Sequence, residues 1–275
     1  RQKERQKHQR RRHKRREPSH RRASDRSKCA ASWPDTVPAI TRRRALSLGI
    51  AAVAVTLAAA PVPGLRRPLL VAVAWPERAA RLFPQGRFSW ERLRQAAAAG
   101  QWAALGGPAA WGSFDLRTTD PLRSNSGQLT LALWSRDQPG AASVATLKRA
   151  VYRPARSTDI LLREFISGGP NDGDVAMVYE AAAITRAAEA RQRRPGGYEL
   201  FVPDPTIEMV LAAAVLKGEG VGSGADGERF VAFLAGSEGQ AVLREAGFRD
   251  PDGRGGSAAG DRVRKLPSPG RADLE

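Results

Sequence analysis

Residues 114–134 read as a strand, a turn and a helix in immediate succession. Phe114-Asp115-Leu116 alternates apolar and polar residues, the pattern of a strand with one face buried. Asp120-Pro121 ends that strand, because proline has no N–H to give to a ladder and its fixed φ starts a turn. Ser124, Asn125 and Ser126 are residue types that cap helices, and Gly127 lets the backbone approach whatever lies there. Leu129, Leu131, Leu133 and Trp134 then supply apolar positions for one buried helical face. A strand that hands the chain straight to a helix belongs to an α/β fold, in which sites form where strands end and helices begin. The first helical turn has N–H groups without intrahelical acceptors, and the helix dipole adds partial positive charge there. Arg123, Ser124, Asn125, Ser126 and Gly127 therefore form a candidate cradle for an anion or a carbonyl group. Composition alone leaves a second reading open, an ordinary cap with no ligand.

The flanking segments carry the same alternation of strand and helix signals. Residues 69–75 are apolar without interruption between Pro68 and Pro76, as a strand buried on both faces is. Helices are expected over 77–83, over 90–99 with Ser89 as cap, over 141–151 and over 159–166. A turn cluster at 168–174 feeds a strand over 175–179, which delivers Tyr179 and Glu180 to a loop beside Ser124. Tyr179 is either a ligand group or core packing with a surface hydroxyl. A further strand over 198–202 ends at Pro203-Asp204-Pro205. Residues 208–216 are expected to begin extended and continue helically. The glycine-rich stretch 218–227 is a flexible loop and not a phosphate loop, since no Lys-Ser or Lys-Thr follows it. Short helices are expected over 228–234 and 238–246, and residues 253–275, rich in Gly, Arg, Ser and Pro, read as a disordered tail.

Charge separates the chain into unlike parts. Residues 1–44 hold 17 Lys and Arg against 4 Asp and Glu, so they carry +13 of the total +17. Such a segment cannot collapse against its own repulsion and is expected to be a disordered basic leader. Its functional reading is contact with nucleic acid or anionic lipid; its plain reading is a solvated leader. No aromatic residues interleave the basic run as they do in many nucleic-acid binders, so no specific nucleic-acid partner is expected. All three histidines, His8, His13 and His20, lie in this leader, and Cys29 is the one cysteine. Beyond residue 29 there is therefore no Ser-His-Asp or Cys-His nucleophile, no His- or Cys-based metal centre and no internal disulfide, and no metal or cofactor is expected.

Residues 45–65 contain no charged side chain and follow Arg42-Arg43-Arg44. Their length and flanking charge fit a transmembrane anchor, or an export signal of twin-arginine type cleaved near residue 60. Either outcome puts the remainder outside the cytoplasm.

Residues 90–111 followed by Thr119-Asp120-Pro121-Leu122-Arg123-Ser124-Asn125-Ser126-Gly127 resemble the second-lobe entry of bacterial extracellular solute-binding proteins, the type 2 periplasmic binding family that includes molybdate-type binders. Gly173-Asp174-Val175-Ala176-Met177-Val178-Tyr179-Glu180 resembles the family's strand that ends in a ligand-side tyrosine and acidic residue. Phe201-Val202-Pro203-Asp204-Pro205-Thr206 resembles its hinge return. Phe230-Val231-Ala232-Phe233-Leu234, with Ser237-Glu238-Gly239-Gln240 and Gly247-Phe248-Arg249, resembles its closing helix. The resemblance spans residues 67–252 and implies a non-catalytic α/β domain that binds a small polar solute, with Tyr179, Glu180 and Thr206 added to the Ser124 cradle, and a transporter permease as partner. It also implies a second lobe plus the returning part of a first lobe, whose opening strands the chain does not supply. A partial binding domain with an interaction role is the nearest alternative. A Ser-Lys hydrolase using Ser124 or Ser126 with Lys148 would require a buried lysine of depressed pKa.

Overall fold

The computed structural model describes residues 56–57, 62–217 and 224–269. Contacts divide the chain into Arg1–Arg44 and Ala45–Glu275; the first unit lies outside the described residues, as do residues 218–223 and 270–275, and every element below belongs to the second. Two strands, β1 (Thr56–Leu57) and β2 (Val62–Arg66), lead to β3 (Leu70–Ala74). Helices α1 (Pro76–Leu82) and α2 (Trp90–Ala99) follow, then β4 (Leu116–Arg117), α3 (Asn125–Ser135), α4 (Ala141–Ala150) and α5 (Thr158–Gly168). Next come β5 (Val175–Tyr179), α6 (Glu180–Arg193) and β6 (Glu199–Phe201). Three short strands, β7 (Thr206–Glu208), β8 (Leu211–Ala213) and β9 (Leu216–Lys217), precede α7 (Ala225–Ala235), α8 (Ser237–Glu245) and β10 (Lys265–Pro267).

The central sheet has the order β4-β5-β3-β6, with β3 antiparallel to both neighbours and β4 parallel to β5. Every residue of β3 is buried, which is why its sequence shows no polar alternation: each face of the strand meets a different helical layer. Leu70, Ala72 and Ala74 join Leu93 of α2, Leu129 and Leu133 of α3 and Leu147 of α4 on one side. Val71 and Val73 join Leu161, Leu162 and Phe165 of α5 and Ala183 of α6 on the other. The result is an α/β layer structure of mixed sheet and flanking helices, as the strand and helix signals imply. Ser89 and Ser157 cap α2 and α5, their hydroxyls accepting from Arg92 N and Ile160 N.

One polar group is sealed inside the first layer. Asp174 accepts from Arg78 Nε at 2.8 Å and from Asp115 N at 2.7 Å. The Arg78 guanidinium lies 3.7 Å from the Trp111 ring centroid and 5.1 Å from that of Trp102, so the charge is held between aromatic faces in place of water.

Three sequence expectations meet corrections. Within residues 45–65, Thr56–Leu57 pairs antiparallel with Leu216–Lys217, and Val62–Arg66 pairs with Leu211–Ala213. These parts of the apolar run are strands and not a membrane helix, and Pro61, Pro63 and Gly64 explain the choice, since each disfavours a helix interior. No helix among the described residues is long and apolar enough to cross a membrane; residues 45–55 and 58–61 lie outside them. The helix expected late in 208–216 is also replaced by strand, because β8 and β9 find partners in β2 and β1. Finally, the expected disordered tail is ordered as far as residue 269: it forms a 3-10 turn at Ala258–Asp261 and the strand β10, which pairs parallel with β7.

Candidate functional site

The site is built on Gly127. A Cβ at this position would lie 2.4 Å from the Thr119 carbonyl oxygen and 2.8 Å from Pro121 N. Only the absence of a side chain lets the first turn of α3 press against the end of the β4 segment. The turn between them is closed by Asp120, whose carbonyl accepts from Arg123 N and Ser124 N while its carboxylate accepts from Leu122 N at 2.9 Å.

Against that junction the Ser126 hydroxyl is wholly buried and bonded to three others: Thr119 Oγ1 at 2.7 Å, Thr158 Oγ1 at 2.7 Å and Ser124 Oγ at 3.1 Å. None of the three is a lysine or a histidine, which leaves the Ser-Lys arrangement without its base at Ser126. Ser124 stands at the N-cap with extended backbone, but its side chain turns to Ser126 and does not cap the helix. The N–H groups of Asn125 and Ser126 have no acceptor among the described residues, and they are the donors the first turn leaves over.

Thr158 is the first residue of α5, so its contact with Ser126 brings two helix N-termini together. A third joins them. Tyr179 ends β5 and precedes α6; burial holds its phenol above the ordinary range, while hydrogen bonding from Asn125 and Ser126 works against that rise. The phenol is thus neutral at physiological pH and a donor as well as an acceptor. Three N-termini meeting where parallel strands end sum their partial positive charges at one place. Met209, in the link from β7 to β8, closes the other side and receives Asn125 Nδ2 at 2.8 Å from its sulfur.

Of the eight residues singled out in the sequence, Ser124, Asn125, Ser126, Gly127 and Tyr179 come together here. The other three face different tasks. Arg123 is exposed and lies 3.5 Å from Asp120 in a surface pair. Thr206 is buried and donates to the Leu70 carbonyl at 2.5 Å, tying β7 to β3. Glu180 is wholly buried in a bidentate pair with Arg249, at 2.7 and 2.9 Å, and also accepts from Ser257 N and Ser257 Oγ. Thr119, Thr158 and Met209 were not singled out. Thr119 opens the stretch that runs to Gly127, and Thr158 follows a helix-capping serine, but nothing local in the sequence joins either to Ser126. Among the described residues no cluster of His, Cys, Asp and Glu is placed to hold a metal ion.

Comparison with known proteins agrees with this architecture. Residues 45–249 match the family described as bacterial extracellular solute-binding protein. Among curated proteins no sequence matches. The chain is similar to the periplasmic binding protein P5PA, with 13% identity, 80% of this chain and 64% of that one covered, and a TM-score of 0.51. It is also similar to the sulfate-binding protein SubI from Mycobacterium tuberculosis, with 19% identity, 76% and 66% covered and a TM-score of 0.48. A third similarity is to the substrate binding protein of an ABC transporter from Agrobacterium tumefaciens, with 15% identity, 76% and 59% covered and a TM-score of 0.49. The chain spans less than two thirds of the length of each of these structures. At such identities the likeness to P5PA concerns the fold, and the family rests on the sequence match, whose first residue, Ala45, opens the apolar run whose described parts pair as strands. The chain belongs to the bacterial extracellular solute-binding protein family.

Proposed function

We propose that this protein binds a small polar solute, anionic or carbonyl-bearing, outside the cytoplasm, as the substrate-binding component of a transport or sensing system that includes a membrane permease. The observation that carries this reading is the meeting of three helix N-termini around Ser126, with two backbone N–H groups left over. Donors of that kind stabilise an oxyanion without bringing in a full positive charge, so a ligand can enter and leave without chemistry. The direct contacts fall to Asn125 N, Ser126 N, Ser124 Oγ and Tyr179 Oη, and the Ser126 hydroxyl acts by holding this set in place. Glu180 and Thr206, whose polar atoms are engaged elsewhere, act as supports for the site.

Isothermal titration calorimetry of the full chain against oxyanions, amino acids and sugars tests the reading. One ligand class is expected to bind, and Tyr179→Phe is expected to weaken that binding about tenfold, the worth of one hydrogen bond to a charged group, with thermal melting of the variant checking that the fold is kept. Absence of binding across all three classes would contradict the proposal, as would a Tyr179→Phe variant with unaltered affinity.

A further inference from the structure

A cleft lies on the flank of α5, away from Ser126. Its volume is about 600 Å³, and none of Ser124, Asn125, Ser126 and Tyr179 lines it. One wall is the extended segment that continues the sheet beyond β4 through the bridges Leu116 to Val151 and Thr119 to Ala155. That segment contributes Arg153 and Arg156, and the opposite wall is the outer face of α5, with Ile160, Glu164 and Ser167.

The charges in this cleft are unevenly satisfied. Arg117 is buried at its base and is 2.9 Å from Glu164 and 3.8 Å from Asp172, so two carboxylates share one guanidinium. Arg153 and Arg156 are exposed, and neither has a carboxylate partner among the described residues. Arg153 takes a positive φ of 51°, a conformation that disfavours a side chain by roughly 1 kcal/mol or more, and its guanidinium lies 5.0 Å from the Tyr152 ring centroid. Two planar forks at the mouth with a third below them match a tetrahedral dianion, which can accept from several guanidinium N–H groups at once. The volume exceeds what an inorganic anion fills, and the partly exposed Ile160 offers apolar surface for an organic remainder.

We propose that this cleft is a second binding site, independent of the Ser126 site, for phosphate monoesters of small organic molecules. The phosphoryl group rests on Arg153 and Arg156 and takes Arg117 over from Glu164, which occupies that guanidinium when no ligand is bound. Glu164 is therefore a built-in competitor, and removing its charge strengthens binding.

The test is a titration of the full chain with glycerol 3-phosphate, read by NMR at the amides of Arg153, Arg156 and Ser167, so that contact with the basic leader is not counted. Saturable shifts are expected there. The double variant Arg153→Ala/Arg156→Ala is expected to weaken binding at least tenfold, and Glu164→Gln to tighten it severalfold. All three positions are exposed, and thermal melting of each variant checks that the fold is kept. Unmoved amides, a double variant that binds as before, or weaker binding by Glu164→Gln would each overturn the proposal. Asn125→Pro, which alters the Ser126 site, is expected to leave this titration unchanged; a parallel loss would show one site and not two.

Discussion

Gly127 shows how a single missing side chain decides where a site can exist. A Cβ here would meet backbone atoms at 2.4 and 2.8 Å, which cannot rotate away, so Gly127→Ala has to separate α3 from the β4 segment. A loss of about 2–4 kcal/mol in unfolding free energy is expected by chemical denaturation; a loss within about 0.5 kcal/mol would mean the junction is looser than its geometry. Asp174 makes a different prediction. Burial pushes its carboxyl up to about 6, against the hydrogen bond from Asp115 N and the charge of Arg78. In the unfolded chain the same group titrates near 4. Between about pH 4 and pH 6 the folded protein keeps a proton that the unfolded chain has released, so the stability due to this group falls as pH rises through that window and is level above it, by up to ~3 kcal/mol. Unfolding free energies of the parent and Asp174→Asn, compared at about pH 4 and about pH 7, check the sign. The parent's advantage over the variant should shrink toward neutral pH; an advantage that grows would refute it.

Between elements, the most consequential contact is the one that Glu180 makes at the start of α6. The residue stands next to Tyr179, and sequence alone invites reading the two as ligand groups together. What sequence cannot display is a partner 69 residues away. The Arg249 guanidinium is also held by Asp261 at 2.6 Å and by the Gly253 and Ser257 carbonyls, so this pair fastens the C-terminal segment to the root of the helix that Tyr179 precedes. Arg249→Ala leaves a buried carboxylate without its charge partner and is expected to cost about 3–5 kcal/mol in unfolding free energy, with greater protease sensitivity beyond residue 249. A variant as stable as the parent would show that the segment holds without the pair. β3 and β5 could be read because strands covered on both faces are apolar throughout, and the N-terminus of α3 could be read because capping types are local. Thr158 could not, since α5 packing is what carries its hydroxyl to Ser126. Residues 56–57 and 62–66 pair as strands although the length and flanking charge of the run suit a membrane helix, because Pro61, Pro63 and Gly64 disfavour a helix and the partner strands lie near the other end of the chain.

At the scale of the whole molecule, mixed sheet, flanking helices and the paired strands β2 with β8 and β7 with β10 serve to hold three helix N-termini at one place. In the proposed function, backbone N–H groups and not side-chain charges hold the solute. Asn125→Pro tests it most directly. Proline is tolerated at the first position of a helix, and Ser124 before it already has the extended backbone that proline demands, so the substitution deletes one N–H donor while α3 stays in place. Asn125→Ala controls for the lost amide side chain. With the ligand class identified by calorimetry, the account predicts that Asn125→Pro binds at least tenfold more weakly than Asn125→Ala at equal unfolding temperature. Equal affinity in the two variants would contradict it and move the binding energy from the helix N-terminus to side chains elsewhere.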